Sequence, residues 1–218
     1  MRITAIEPQQ KNPTRRNIYA DGEFVLGISA ETLLRFGLRL GDEISPVLIT
    51  AIEKAEELVG AKGVALRFLT VRPRTEREIR DKLREKEFGD EEIAQTITAL
   101  KSSGLLDDAA FATMYIRDAF AGRGAGKILL KKKLLLLGVD KSVIDEAIEE
   151  TFAGVDVQAA ALTLARQFVK KTENLKKGEI AMKKRNRVSA FLARKGYGWD
   201  VIGAVLKEVF TDSDETEG

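Results

Sequence analysis

Cysteine and histidine are both absent from the 218 residues. Zinc sites built on thiolate or imidazole are therefore impossible. So are Cys–His and Ser–His–Asp nucleophilic systems, which need one of those side chains as nucleophile or base. The missing cysteine fits a reducing compartment. No apolar run of signal-peptide length follows Met1-Arg2, and no stretch approaches the ~20 apolar residues of a membrane span. A cytoplasmic chain with no membrane association is expected. What remains is a folded composition, 44% hydrophobic and 32% charged, long enough to bury a core without metal or disulfide staples.

A net charge of only +2 hides an uneven layout. Lys170 to Lys207 carries 11 Lys and Arg against 3 Asp and Glu, whereas Met1 to Lys62 carries 8 against 9. Like charges packed as closely as Lys183-Lys184-Arg185-Asn186-Arg187 repel one another unless something opposes them, such as phosphates or an acidic protein surface. The alternative is that these lysines and arginines only solubilise a helix face. Thr211–Gly218 holds four acidic side chains and no apolar one, the composition of a flexible acidic tail.

Residues 1–60 form a small α/β module. Arg2–Ile6 makes a short strand, and Arg15–Ala20 and Phe24–Ile28 flank the hairpin pair Asp21-Gly22. Arg15 and Arg16 either contact a partner or are simply solvated. Ser29 caps a helix through Phe36, with Leu33, Leu34 and Phe36 facing inward. Ser45-Pro46 starts another, carrying Val47, Leu48, Ile49, Ile52, Ala55, Leu58 and Val59 at helical spacing.

Beyond Gly63 strand signals vanish and a helical unit recurs. Ile79, Leu83, Phe88, Ile93 and Ile97 are spaced +4, +5, +5, +4. Leu130, Leu134, Val139, Ile144 and Ile148 repeat those steps, as do Val188, Leu192, Tyr197, Ile202 and Leu206. A +4 step keeps one helical face; the +5 steps cross a tight corner plugged by Phe88, Val139 or Tyr197. Gly138 and Gly196 stand just before the plug, where a helix C-terminus favours a left-handed residue. Leu83, Leu134 and Leu192 are core partners of the plugs. Thr75, Asp90, Asp108 and Asp140 are expected helix caps, Thr75-Glu76-Arg77-Glu78 resembling a capping box. An earlier helix completes each unit, through Ala65, Leu66, Phe68 and Leu69, then Phe111–Phe120, then Ala161–Phe168. The expected fold is mainly α: three tandem three-helix repeats (61–104, 105–154, 155–210) in an elongated curved array after the N-terminal module, with a tail at 211–218.

Gly122-Arg123-Gly124-Ala125-Gly126-Lys127-Ile128 departs from a phosphate loop. Ala121 occupies the first glycine position, and Ile128 replaces the hydroxyl that would hold magnesium. A flexible hinge displaying Arg123 and Lys127 is expected instead. Asp107-Asp108 has no acidic partner cluster for a metal cage. No catalytic residue, cofactor or metal ligand is assigned. Trp199 beside Tyr197 is read as core or inter-unit packing in preference to base stacking.

Charge sorts by element. Two of the three post-corner helices are acidic, which argues against a major-groove reader. The pre-corner helices carry Arg77, Arg80, Lys82 and Arg84, then Lys131, Lys132 and Lys133, then Lys183, Lys184, Arg185, Arg187, Arg194 and Lys195. With Arg123 and Lys127 these form the expected basic surface for a partner or DNA.

Thr75-Glu76-Arg77-Glu78-Ile79 with Lys82-Leu83, Gly104-Leu105-Leu106-Asp107-Asp108 with Phe111-Ala112, and Lys195-Gly196-Tyr197 resemble the bacterial RecX regulatory proteins. The likeness covers about Val64 to Val209, and the opening module resembles the N-terminal extension of some members. It implies a non-enzymatic chain that binds the RecA recombinase filament on single-stranded DNA, with double-stranded DNA as a further candidate; nothing in the sequence demands a dimer, and a monomer is expected. Such proteins inhibit strand exchange and the filament's ATPase and coprotease activities. Thr75 stands where serine is common, and Glu87 where the corner glycine is common, so the first corner is expected to test Gly89 as its left-handed residue. The alternatives are a nucleic-acid-binding repeat protein acting without a recombinase and a purely structural helical repeat.

Overall fold

Asp21 and Gly22 both take positive φ, 50° and 86°, the backbone of a type I′ turn whose twist matches its flanking strands. In the computed structural model, which describes residues 1–173 and 181–211, that turn joins β2 (Arg15–Ala20) to β3 (Glu23–Ser29). With β1 (Ile3–Pro8) they form an antiparallel sheet in the order β1-β2-β3. The rest is helical among the described residues: a mainly α chain with three-helix repeats, as expected. Residues 212–218 of the expected acidic tail, and residues 174–180 within the basic stretch that begins at Lys170, lie outside the described residues. The chain divides into two compact units. One is Met1–Arg74 with Glu78–Leu106; the other is Thr75–Arg77 with the chain from Asp107 onward.

In the first unit, α1 (Ala30–Phe36) follows β3 directly. Ser29 caps it by accepting from the Thr32 N–H, and Gly37 closes it at φ 61°. Leu33 and Phe36 pack on the module core, but Leu34 does not: it is 80% exposed. At ~100° per residue Leu34 falls nearly opposite Thr32, the residue that α1 buries. Val47 is likewise exposed, because it lies ~140° round α2 (Pro46–Leu69) from Ile52, whereas Leu48 and Ile49 in the same turn face the module core. Ser45 and Pro46 act as N-cap and first helical residue, as expected.

Glu56 of α2 ties this module together. One carboxylate oxygen accepts from the Ser29 N–H and from the Ser29 and Thr32 hydroxyls; the other meets Arg15 at 2.6 Å. Burial pushes this carboxyl up, and those donors and the arginine outweigh it, holding Glu56 below the ordinary glutamate value. Arg15, expected at a partner or in solvent, is therefore used structurally.

The two helices expected on either side of residue 60 are one helix of 24 residues. Its first half covers the sheet through Ile52. Its second half supplies Ala61 and Ala65 to a cluster with Ile79, Leu83, Ile93, Ile97, Leu100 and Leu106. Leu66, expected in that core, is exposed, because it lies ~100° round the helix from Ala65. This cluster joins α2 to α3 (Glu76–Glu85) and α4 (Asp90–Ser102).

In the second unit, α5 (Asp108–Arg123), α6 (Lys127–Leu136) and α7 (Lys141–Phe152) enclose one cluster, and α8 (Val157–Glu173), α9 (Ala181–Lys195) and α10 (Trp199–Thr211) enclose another. Of the fifteen repeat positions read from the sequence, all but Phe88 are buried. Phe88 is half-buried on its cluster, close to Gly60, where an added Cβ would stand 3.4 Å from the ring.

The three corners share one hydrogen-bond pattern. The plug's N–H reaches back five residues, from Phe88 to Leu83, Val139 to Leu134 and Tyr197 to Leu192, at 3.1 to 3.2 Å. The residue before each plug bonds three back, to the carbonyls of Arg84, Leu135 and Ala193. That residue is left-handed each time: Glu87 at φ 63°, Gly138 at 84° and Gly196 at 87°. The first corner thus uses Glu87 itself, not Gly89.

Two expected caps shift by one residue. Gly89, in extended conformation, is the N-cap of α4, so Asp90 is already helical and serves the positive end of the helix from its first turn. Asp107 caps α5 by accepting from the Ala109 and Ala110 N–H groups. Asp108 instead accepts from the Glu76 N–H at 2.9 Å, a donor that the start of α3 leaves free. Asp140 holds the N-cap position of α7 without a side-chain hydrogen bond.

Candidate functional site

The glycine run before α6 is a packed joint instead of an open hinge. Gly124 ends α5 at φ 59°, and Gly126 is buried. The Gly126 N–H donates to the Lys195 carbonyl at 2.7 Å and the Ile128 N–H to the Gly196 carbonyl at 3.1 Å. A Cβ on Gly126 would stand 2.4 Å from that Gly196 oxygen, so the run exists to let two backbones meet. A matching contact occurs at the second corner. Thr75, fully buried, donates its hydroxyl to the Leu137 carbonyl at 2.7 Å, and Gly138 lies against the Arg77 stem. Thr75 and Gly126 both stand four residues before the first repeat position, and Leu137 and Lys195 both stand just before a corner glycine. The same docking is thus built once with a hydroxyl and once with a backbone amide.

The predicted basic residues divide between the units, and their surroundings differ. On α3, Lys82 pairs with Glu85 at 2.9 Å and Arg84 with Asp90 at 3.3 Å. The hydrogen bond and charge of Lys82 hold the Glu85 carboxyl below its ordinary value. Arg77 and Arg80 also interact with other groups of the protein. On α6, Lys131 pairs with Asp145 and Lys127 lies over the Phe152 ring at 5.0 Å, while Lys132 and Lys133 are exposed. On α9, Arg187 and Lys195 flank the stacked rings of Phe168 and Phe191, which lie 4.2 Å apart. Lys195 also donates to the Arg123 carbonyl. Lys132, Lys133, Lys183, Lys184, Arg185 and Arg194 make no ion pair among the described residues. Positive charge without a counter-charge is therefore concentrated on α6 and above all on α9.

Two features of this region were not read from the sequence. One is a cleft of about 520 Å³ lined by Phe120, Arg123, Leu164, Gln167, Lys195 and Tyr197. Burial pushes the Tyr197 phenol up, and its hydroxyl has no hydrogen-bond partner among the described residues. The other is Trp199. Its neighbour Tyr197 plugs the third corner as expected, but Trp199 is 75% exposed. As the first residue of α10 it falls just beyond the corner, and the buried face of α10 is set by Ile202, Val205 and Leu206. Among the described residues, no group of three or more Asp and Glu could hold a metal, and no helix is long and apolar enough to cross a membrane.

Family models match nearly every part of this architecture. The Regulatory protein RecX N-terminal domain matches residues 1–45, and the first, second and third RecX three-helix domains match residues 61–100, 107–148 and 156–206. Regulatory protein RecX of Clostridium acetobutylicum is 33% identical over 213 residues, covering 97% of this chain and 98% of its own. Its counterpart from Bacillus subtilis is 31% identical over 213 residues, covering 98% of this chain and 79% of its own. A crystal structure of regulatory protein RecX superposes with a TM-score of 0.76 at 27% identity, covering 94% of this chain and 98% of that one. RecX from Lactobacillus salivarius shares the fold, with a TM-score of 0.62 at 24% identity over 71% of this chain and 97% of that one.

Proposed function

The chain belongs to the RecX family, and from that premise we propose that it is a non-enzymatic regulator of the RecA recombinase in the cytoplasm. It binds the recombinase filament on single-stranded DNA and inhibits its ATPase, strand exchange and coprotease activities. The observation that carries the reading is the set of α9 cations Lys183, Lys184, Arg185 and Arg194, which no carboxylate neutralises among the described residues. Such a surface attracts a polyanion or an acidic protein face, and a filament on DNA offers both. The paired cations of α3 serve the fold more than the partner.

The test is the DNA-dependent ATPase of a RecA filament titrated with the protein. Inhibition that saturates as the filament is covered is the expected result, and an ATPase unaffected at any ratio overturns the proposal. The unneutralised cations also favour a second reading, DNA binding without a recombinase. In that case binding to bare DNA falls with added salt, as released counterions lose their advantage, and the ATPase responds only through competition for DNA.

A further inference from the structure

We propose that Trp199 is a stacking platform for a base of single-stranded nucleic acid, at the end of a cation row on α9 that holds the backbone. Trp199 stands 75% exposed, and an open indole, a large apolar ring with a polar N–H, is the kind of side chain that binding surfaces use, so a ligand-facing setting is sought around it. Its surroundings supply one. At ~100° per residue, Lys183, Arg187 and Arg194 fall within about 40° of each other on α9, spanning about 17 Å along the axis. The small Ala190 lies between them on the same row. Arg194 and Lys195 end the helix, and the tight corner Gly196-Tyr197-Gly198 then delivers Trp199.

The corner also fixes what lies nearby. The Ile128 N–H bonds to the Gly196 carbonyl, so the start of α6 meets this corner through its backbone, and the Ile128 side chain is itself exposed. The nearest acidic group along the chain, Asp200, is turned back over Gly198. A run of positive charge followed by a flat aromatic is the alternation that single strands present in reverse, phosphate and then π-face. A duplex hides its base faces in the stack, so the site selects single strands. An acidic protein surface would meet the cations but has no general need for an exposed indole. This inference goes beyond the filament reading, because the indole meets DNA with no recombinase present.

Trp199 is the sole tryptophan, so its emission reports on this site alone. Titrating the full chain with oligo(dT) is expected to quench that emission to saturation, while a duplex quenches it little. Trp199→Ala is expected to weaken oligo(dT) binding about tenfold, and Trp199→Phe to retain most of it, with the helical circular dichroism of both unchanged. Because an indole neutralises no phosphate, Trp199→Ala leaves the salt dependence of binding intact, whereas Lys183→Ala or Arg194→Ala lowers the log–log slope by about 1. Unquenched emission with undiminished binding by Trp199→Ala overturns the proposal. So does quenching produced by recombinase without DNA but not by DNA, which would make Trp199 a protein contact. Loss of ATPase inhibition with oligo(dT) quenching intact would overturn the filament reading and leave this one standing.

Discussion

The first and third corners carry the same five apolar positions at the same spacing, and the same backbone bonds, yet one is turned by Glu87 and the other by Gly196. The left-handed conformation belongs to the corner itself. Glycine there answers to a second demand. A Cβ on Gly196 would stand 2.3 Å from the Leu129 nitrogen and 2.9 Å from its Cα, both backbone atoms that cannot swing aside. Glu87 carries its Cβ and an exposed side chain. Geometry thus asks for positive φ at every corner, and close approach by another segment, the Leu129 backbone at Gly196 and the Arg77 stem at Gly138, decides whether glycine is required. The pre-corner helices diverge in parallel: Lys82 and Arg84 of α3 have carboxylate partners, while Lys183, Lys184, Arg185 and Arg194 of α9 have no ion pair among the described residues.

The comparison fails at once if the repeat positions are not equivalent. Leu83, Leu134 and Leu192 are all fully buried and accept the plug's N–H through their carbonyls. Truncating any of them to alanine is expected to cost about 2–5 kcal/mol, read as a lowered midpoint in thermal or denaturant melts. A variant that melts like the parent removes that leucine from the core and breaks the equivalence.

Gly196→Ala comes next. It adds a Cβ against the Leu129 backbone at a residue with φ 87°, and a loss of about 3 kcal/mol is expected from strain and displaced packing. An unchanged denaturation midpoint would mean that the third corner relaxes as freely as the first, and the distinction between them would go.

Charge reversal sharpens the electrostatic half of the comparison. Lys183→Glu, Lys184→Glu and Arg185→Glu together are expected to weaken binding to the DNA–recombinase filament by more than tenfold, roughly 1.4 kcal/mol, with helicity retained. Reversing Lys82 and Arg84 on α3 is expected to do less, since those charges already face Glu85 and Asp90. Equal losses from both helices, measured by filament co-sedimentation, would erase the difference between them. A collapse of circular dichroism in the α9 variant would make its cations structural.

The repeat was legible because its signal is a spacing, and spacing survives any local variation in chemistry. The plugs, the hairpin turn and the Ser29 and Ser45 caps were legible for the same reason: each is set by residues within a turn of one another. What was hidden depends on partners distant in sequence. Asp108 reads as a local cap, but its carboxylate serves Glu76, 32 residues away. The Gly124–Gly126 run reads as a hinge because nothing nearby announces the Lys195 and Gly196 carbonyls that it receives. Leu34, Val47 and Leu66 are apolar on helices whose inward face is fixed by elements elsewhere. Of the candidate surface, its cationic content was legible, but not which cations the fold neutralises, since Asp145 and Phe152 lie a helix away from Lys131 and Lys127. Trp199 was misread for a related reason: the pairing with Tyr197 is a neighbour relation in sequence, and the tight corner sends the two rings to opposite environments.

The smallest effect has the opposite sign. Glu87 holds φ 63°, a conformation that costs a residue with a Cβ roughly 1–2 kcal/mol, and glycine gives back part of that saving through its freer unfolded chain. Glu87→Gly is therefore expected to raise stability by about 1 kcal/mol, a rise in midpoint of a few degrees by thermal melt. The same reasoning forbids any such gain at Gly138 or Gly196, where glycine is already present and the Arg77 stem or Leu129 fills the space a Cβ would need. A Glu87→Gly protein that melts lower than the parent would mean that the glutamate side chain stabilises the first corner by more than its backbone strain costs. The corner residue would then be chosen by its side-chain contacts, and close approach would cease to explain why two corners carry glycine and one does not.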